Sequence, residues 1–238
     1  VVGKTVDCVK TPDNCDLILR SRVLSVELIG QALTQLKHPP KVWAQMSTAH
    51  IYGDPPSIIC DEDSHIGYGL APYVGKAWED SFWIALPKSI RPVIFRTSFV
   101  IGNTGGAFKK LKWITRFGLG GKIGDGNQGF SWLHINDMDA LFIRAIEDDN
   151  MSGIYVASAP NPVSNKEFMK KLRHCLHVPF GLPATKWMIA AACKFILRTD
   201  HEIVLYGRYV VSKRLKTLGF TFEFPTIDAA FNDLLNKN

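Results

Sequence analysis

Hydrophobic positions along this 238-residue chain switch between two spacings, and the switching predicts an architecture. Leu19, Val23, Val26, Ile29, Leu33 and Leu36 recur every three or four residues, one face of a helix. Pro39-Pro40 ends it, because proline has no N–H to donate and its ring crowds the preceding turn. Val42 to Met46 is a short apolar run that suits a buried strand ending at Ser47. Helical spacing returns from Tyr73 to Leu86, a second strand runs from Pro92 to Ile101 and stops at Gly102, and a third spans Phe130 to Ile135. Asp137 is placed to cap a helix carrying Leu141, Ala145 and Ile146. Ile154 to Ala157 is a short fourth strand. Ser164-Asn165-Lys166-Glu167 is a capping box, in which a hydroxyl and a carboxylate satisfy free N–H groups at a helix start, ahead of Phe168, Leu172 and Leu176. From Lys213 to Leu235 the pattern predicts a helix, a stop at Gly219, a strand from Phe220 to Phe224, and a last helix after Pro225. Strands alternating with helices predict an α/β fold, a Rossmann-like parallel sheet with flanking helices.

Composition narrows the class. Hydrophobic residues make up 46% and charged residues 21%, which suits a globular chain, and no apolar run approaches the roughly 20 residues a membrane span needs. A membrane is therefore not an expected partner. The five cysteines (8, 15, 60, 175 and 193) are odd in number and lack CxxC spacing, which predicts reduced thiols in an intracellular protein rather than a disulfide frame or a metal site. The net charge of +6 is uneven: residues 151–238 hold 12 Lys/Arg against 6 Asp/Glu, while residues 1–150 hold 16 of each. No aromatic–basic interleaving accompanies this excess, so it predicts a solvated surface rather than a nucleic-acid partner.

Arg116 to Asp137, RFGLGGKIGDGNQGFSWLHIND, holds six glycines in twenty-two positions. Such density costs ordering entropy that packing alone rarely justifies, since glycine has the most freedom to lose. The block resembles the signature "GLGG-x-x-G-x-G-x-Q-x-F-x-W-I-H-x-x-D" of an epimerase-like branch of the extended short-chain dehydrogenase/reductase superfamily. Leu205 to Pro225, LYGRYVVSKRLKTLGFTFEFP, resembles that branch's C-terminal accessory domain. The resemblance runs from about Asp16 to about Phe231. It implies two units, a Rossmann-like domain over 1–160 and a substrate-side domain over 161–238. An extended reductase opens with a strand, a Gly-rich turn and a helix whose N-terminus cradles the cofactor pyrophosphate. The 238 residues contain no such fingerprint, so the expectation is a chain without its first two βαβ units, about 60 residues.

The resemblance also implies roles, each beside a plainer reading. Ser47-Thr48-Ala49-His50-Ile51-Tyr52-Gly53 is similar to the family's "S-S-x-x-V-Y-G", in which Thr48 would hydrogen-bond the substrate oxygen with Ser47 beside it on the cofactor side. Otherwise this stretch is a strand end turning away. Ala71-Pro72-Tyr73 with Lys76 resembles "S-P-Y-x-x-x-K", with Tyr73 as acid/base and Lys76 lowering its pKa, although Lys76 arrives one residue early. The alternative is an amphipathic helix start with a surface lysine. Val100, in Arg96-Thr97-Ser98-Phe99-Val100-Ile101-Gly102, corresponds to the strand end that passes the nicotinamide, or else is core. Arg22 matches a family "S-R" and would hold a cofactor phosphate, or else is a solvated helix residue. His134 and Asp137 are read as structural. The resemblance thus implies an NAD(P)-dependent oxidoreductase or epimerase of a small carbonyl or alcohol, with NADP or NAD as cofactor and no metal. The alternative is a non-catalytic NADP-binding or regulatory protein on the same fold.

Overall fold

The computed structural model describes residues 3–55, 58–185, 187–189 and 205–236. Helix α1, Pro12–Gln35, starts about two turns earlier than its apolar spacing suggests. Thr11 caps it, accepting from Asn14 N at 3.2 Å, and Pro12 supplies a preset first-turn φ. Strand β1, Val42–Thr48, alternates buried and half-buried positions and runs into a single 3₁₀ turn, Ala49–Tyr52. After β2, Ile59–Cys60, helix α2 covers Leu70–Ala85 and β3 covers Arg91–Thr97. β3 pairs parallel to β1, Trp43 opposite Pro92. Strand β7, Gly153–Ala157, joins on the far side, giving the parallel order β1-β3-β7.

The apolar run from Pro92 to Ile101 is two strands, not one. It breaks at Ser98 and continues as β4, Phe99–Ile101, in a second parallel pair with β6, Trp132–His134. The cause is a change of partner: Ser98 N donates to Ala157 O, whereas Phe99 N donates to Ser131 O. Phe130 to Ile135 divides as well. Gly129–Phe130 forms β5, which pairs antiparallel with β8, Val163–Ser164, and Ile135 is the first residue of helix α4, Ile135–Glu147. Asp137 is not the cap; His134 is, accepting from Asn136 N through Nδ1. The buried Asp137 carboxylate instead receives Glu223 N at 2.7 Å and Phe224 N at 3.2 Å. Those bonds explain why Phe220 to Phe224 is not a strand despite its alternation: a side chain takes backbone donors that a ladder would need.

Helix α3, Gly106–Ile114, carries no strong sequence signal and continues into one π turn, Thr115–Leu119. Helix α5, Asn165–Cys175, begins as its capping box predicts, Ser164 accepting from Glu167 N. β9, Tyr209–Val210, pairs with β2, and α6, Lys213–Thr217, and α7, Ile227–Asn236, close the chain. One apolar cluster joins Ile101, Phe108 and Trp132 to Phe168, Ala230 and Phe231, so the C-terminal helices share a core with β4 and β6. Two side chains finish the outer side of β7. Glu62 accepts from Val156 N at 2.8 Å, and Arg214 donates to Ile154 O at 2.7 Å and Ser152 O at 2.6 Å. Glycine density in the Arg116–Asp137 block is in part a packing requirement. A Cβ on Gly129 would lie 2.3 Å from the Arg208 carbonyl carbon, and one on Gly121 would lie 2.2 Å from Leu182 O.

Between α2 and the sheet lies a buried polar network. Arg96 of β3 holds Glu79 of α2 with two bonds, Nε to Oε1 at 3.0 Å and Nη2 to Oε2 at 2.8 Å. Ser47 Oγ donates to the same Glu79 Oε1 at 2.6 Å, and Arg96 Nη1 donates to Tyr52 Oη at 3.0 Å. Burial alone would lower the Arg96 pKa, but the Glu79 hydrogen bonds and charge carry it above its ordinary value. Removing one partner strands a charge in the interior, so Glu79→Ala is expected to cost about 3–5 kcal/mol in urea denaturation. Adding Arg96→Met to Glu79→Ala should recover part of that loss. A double variant no more stable than the single one would show that the pair is not the source of the effect.

Candidate functional site

In open parallel sheets ligands gather beyond the carboxyl ends of the strands, and β1 ends at Thr48. Thr48 caps the 3₁₀ turn, its Oγ1 accepting from His50 N at 3.1 Å, and Gly53, at φ 72°, closes the same turn. Gly75 of α2 fits against that turn because it lacks a side chain. A Cβ there would meet Thr48 Cγ2 and Ile51 at 3.3 Å. The structure thus brings Thr48 against the first turns of α2, the helix that carries Tyr73 and Lys76.

Those two side chains leave the helix on another face. Tyr73 is 63% exposed, and Lys76 Nζ is bound by Asp80 at 2.5 Å in an exposed i,i+4 pair. Ser47 points the opposite way from Thr48, into the Glu79–Arg96 network, as strand alternation requires. Val100 is half-buried in the middle of β4, opposite Leu133. Arg22, on α1, is engaged on both sides, by backbone carbonyls and by α2. Its Nη1 donates to Ile18 O at 2.9 Å and Lys4 O at 3.2 Å, its guanidinium lies over the Trp78 ring, and burial lowers its pKa. Thr48 and the α2 start therefore form one locus, Ser47 supports it from below, Val100 lies on β4 three residues past Thr97, the register partner of Thr48, and Arg22 lies between α1 and α2.

Sequence spacing does not announce what faces the turn from the C-terminal segment. Arg208, 8% exposed, donates Nε to Gly53 O at 2.6 Å, and Asp54 Oδ1 receives Gly207 N at 2.9 Å. Ser131 Oγ holds the Arg208 carbonyl at 2.9 Å, anchoring this segment to the glycine block. Burial, opposed by the Asp54 and Cys60 charges, brings the Arg208 guanidinium down to about 10. Burial first, and then the Arg208 charge, pushes the His50 imidazole down to about 3, so His50 is neutral at physiological pH. Tyr52 is pushed up to about 12 by burial, against the pull of Arg96. The four described cysteines, Cys8, Cys15, Cys60 and Cys175, are free thiols, and Cys193 lies outside the described residues. Among the described residues no helix is long and apolar enough to cross a membrane.

Folded His50 sheds its proton near 3 and an unfolded histidine near 6.5, so between these values the unfolded chain binds more protons. Stability should therefore fall as pH drops below 6.5, by about 1.5 kcal/mol by pH 5 from this group alone. Urea denaturation of the wild type and His50→Gln at both pH values checks this. An equally steep loss in His50→Gln would remove His50 as the cause.

Residues 186–234 match a family model described as a domain of unknown function, DUF1731. Mouse epimerase family protein SDR39U1 is 30% identical over 221 residues, covering 92% of this chain and 73% of that protein. The crystal structure of human epimerase family protein SDR39U1 (isoform 2) with NADPH is 26% identical and superposes with a TM-score of 0.91 over 100% of this chain and 81% of that one. A nucleoside-diphosphate sugar epimerase from Corynebacterium glutamicum is 27% identical, with a TM-score of 0.77 over 95% of this chain and 44% of that one. The chain belongs to the epimerase family of SDR39U1, within the extended short-chain dehydrogenase/reductases.

Proposed function

We propose that this protein is an NAD(P)-dependent oxidoreductase or epimerase acting on a small carbonyl or alcohol, with its chemistry at the β1 end. The observation that carries this reading is the packing of Thr48, closed over by Gly75 of α2, at the carboxyl end of a parallel strand. The NADPH named with the human relative supports NADP over NAD. The Thr48 hydroxyl is assigned to the nicotinamide end of such a cofactor, whereas the 238 residues include no strand–Gly-rich turn–helix unit for its pyrophosphate. The cofactor, when bound, supplies the hydride.

This chain's residues do the rest. Thr48 Oγ1, an acceptor from His50 N, keeps its own proton to donate to the substrate oxygen. That bond strengthens as negative charge develops there. Tyr73, on the exposed face of α2, is the proton donor or acceptor, and Lys76 its neighbour in charge. Val100 lines the nicotinamide side, Ser47 steadies Thr48 through Glu79, and Arg22 is assigned to a cofactor phosphate. Residues 161–238, which contain the matched 186–234, form the substrate-side unit. A second reading, a non-catalytic NADP-binding or regulatory protein, is favoured by one observation: Lys76 is bound by Asp80.

Without several charge-assisted pyrophosphate contacts, each contributing about 1.5–3 kcal/mol, calorimetry on the 238-residue chain should give a Kd for NADPH weaker than about 1 μM. A tighter value would mean that another part of this chain holds the pyrophosphate. In a form carrying a Gly-rich cofactor unit, Thr48→Val should lower kcat by about 10²-fold and leave NADPH affinity unchanged. Full turnover by both Thr48→Val and Tyr73→Phe on an identified carbonyl would end the reductase-type mechanism. Absence of turnover with every carbonyl tried would favour the binding protein.

A further inference from the structure

Arg208 is a nearly buried cation whose guanidinium is incompletely used. Its Nε is spent on Gly53 O, yet among the described residues no carboxylate forms an ion pair with it. The contrast with Arg96 is direct: Arg96 is equally buried but held by both oxygens of Glu79. A cation taken out of water without a paired anion is costly, and sites that retain one commonly bind a charged ligand. The Asp54 charge acts on Arg208 without forming an ion pair, its Oδ1 being turned to Gly207 N, and His50 beside Arg208 is neutral. The Nε bond and the Ser131 hold on the Arg208 backbone fix the orientation of the fork without using Nη1 and Nη2.

The location gives this charge a purpose. Gly53, to which Arg208 is bound, ends the 3₁₀ turn that Thr48 begins. Through its Nε bond Arg208 is fixed to the same turn that presents the Thr48 hydroxyl. From this geometry we infer that Arg208 is the anchor for an oxyanion on the substrate, a carboxylate or a phosphate ester, and so selects anionic carbonyls or alcohols over neutral ones. This assignment rests on the β1 end being the substrate locus. Lysine would keep the charge and lose the two-pronged geometry that planar oxyanions favour.

Thermal unfolding of the 238-residue chain with acetate or inorganic phosphate, at ionic strength held constant with chloride, tests the assignment without requiring turnover. Wild type should show a saturable rise in Tm with at least one of the two. Acetate alone would identify a carboxylate ligand and phosphate alone a phosphate ester. Arg208→Met should lose that rise, and Arg20→Met, which removes an exposed cation of α1, should keep it. Should Arg208→Met fail to fold, Arg208→Lys is expected to bind the same anion about tenfold more weakly or worse. An equal rise in wild type and Arg208 variants, or no saturable rise with either anion, would overturn the assignment. Because the readout is anion binding, loss of the hydride-transfer reading would leave this result standing, and the converse also holds.

Discussion

The Arg96–Glu79 ion pair is the constraint on which the candidate site depends. It ties β3 to α2, and through Ser47 and Tyr52 it reaches the end of β1 and the turn beyond it. A buried pair of this kind is weak as net stabilisation, because desolvation offsets much of the attraction. Its effect is to exclude alternatives. Any slip of α2 along the sheet would leave one charge unpaired, so α2 has one permitted height, and that height sets Gly75 against Thr48.

A second constraint works from the C-terminal side. The segment around Arg208 approaches the glycine block so closely that Gly129 and Gly207 cannot both carry side chains; a Cβ on Gly207 would lie 2.3 Å from Gly129 O. The site is thus bounded by two contacts of opposite character, a charged pair on one side and bare backbone against backbone on the other. Together they present the turn from Thr48 to Gly53 to whatever approaches the strand ends.

Much of this is legible in the sequence. Strands β1, β3 and β7 and helices α1, α2, α4 and α5 can be read from spacing, because periodicity reports which face is buried. Thr48 emerges from resemblance to a family motif rather than from spacing. The break at Ser98 has no local sign: Thr97-Ser98-Phe99 contains neither Gly nor Pro, and the split arises because Ala157 and Ser131 claim successive N–H groups. Asp137 resembles a cap because carboxylates favour first turns; its actual partners, Glu223 N and Phe224 N, lie 86 and 87 residues away. The alternation of Phe220, Phe222 and Phe224 reports burial correctly and strand pairing wrongly. Arg208 is invisible for a related reason: among the described residues it has no ion-pair partner, and no spacing rule encodes that.

The contacts made by Glu62 and Arg214 on β7 have a consequence for how the sheet can grow. Strand edges are open templates for further pairing, and charged side chains laid along them are a common defence. On β7, Glu62 occupies the N–H of Val156, and Arg214 occupies the carbonyls of Ser152 and Ile154, so alternate outward groups are taken. The opposite margin of the sheet is β1, Val-Trp-Ala-Gln-Met-Ser-Thr, without charge or proline and with β3 as its only strand partner among the described residues. Among the described residues the two margins therefore differ: outward groups are occupied at β7, whereas β1 has no strand on its outer side, and there Gln45 Nε2 is buried without a hydrogen-bond partner.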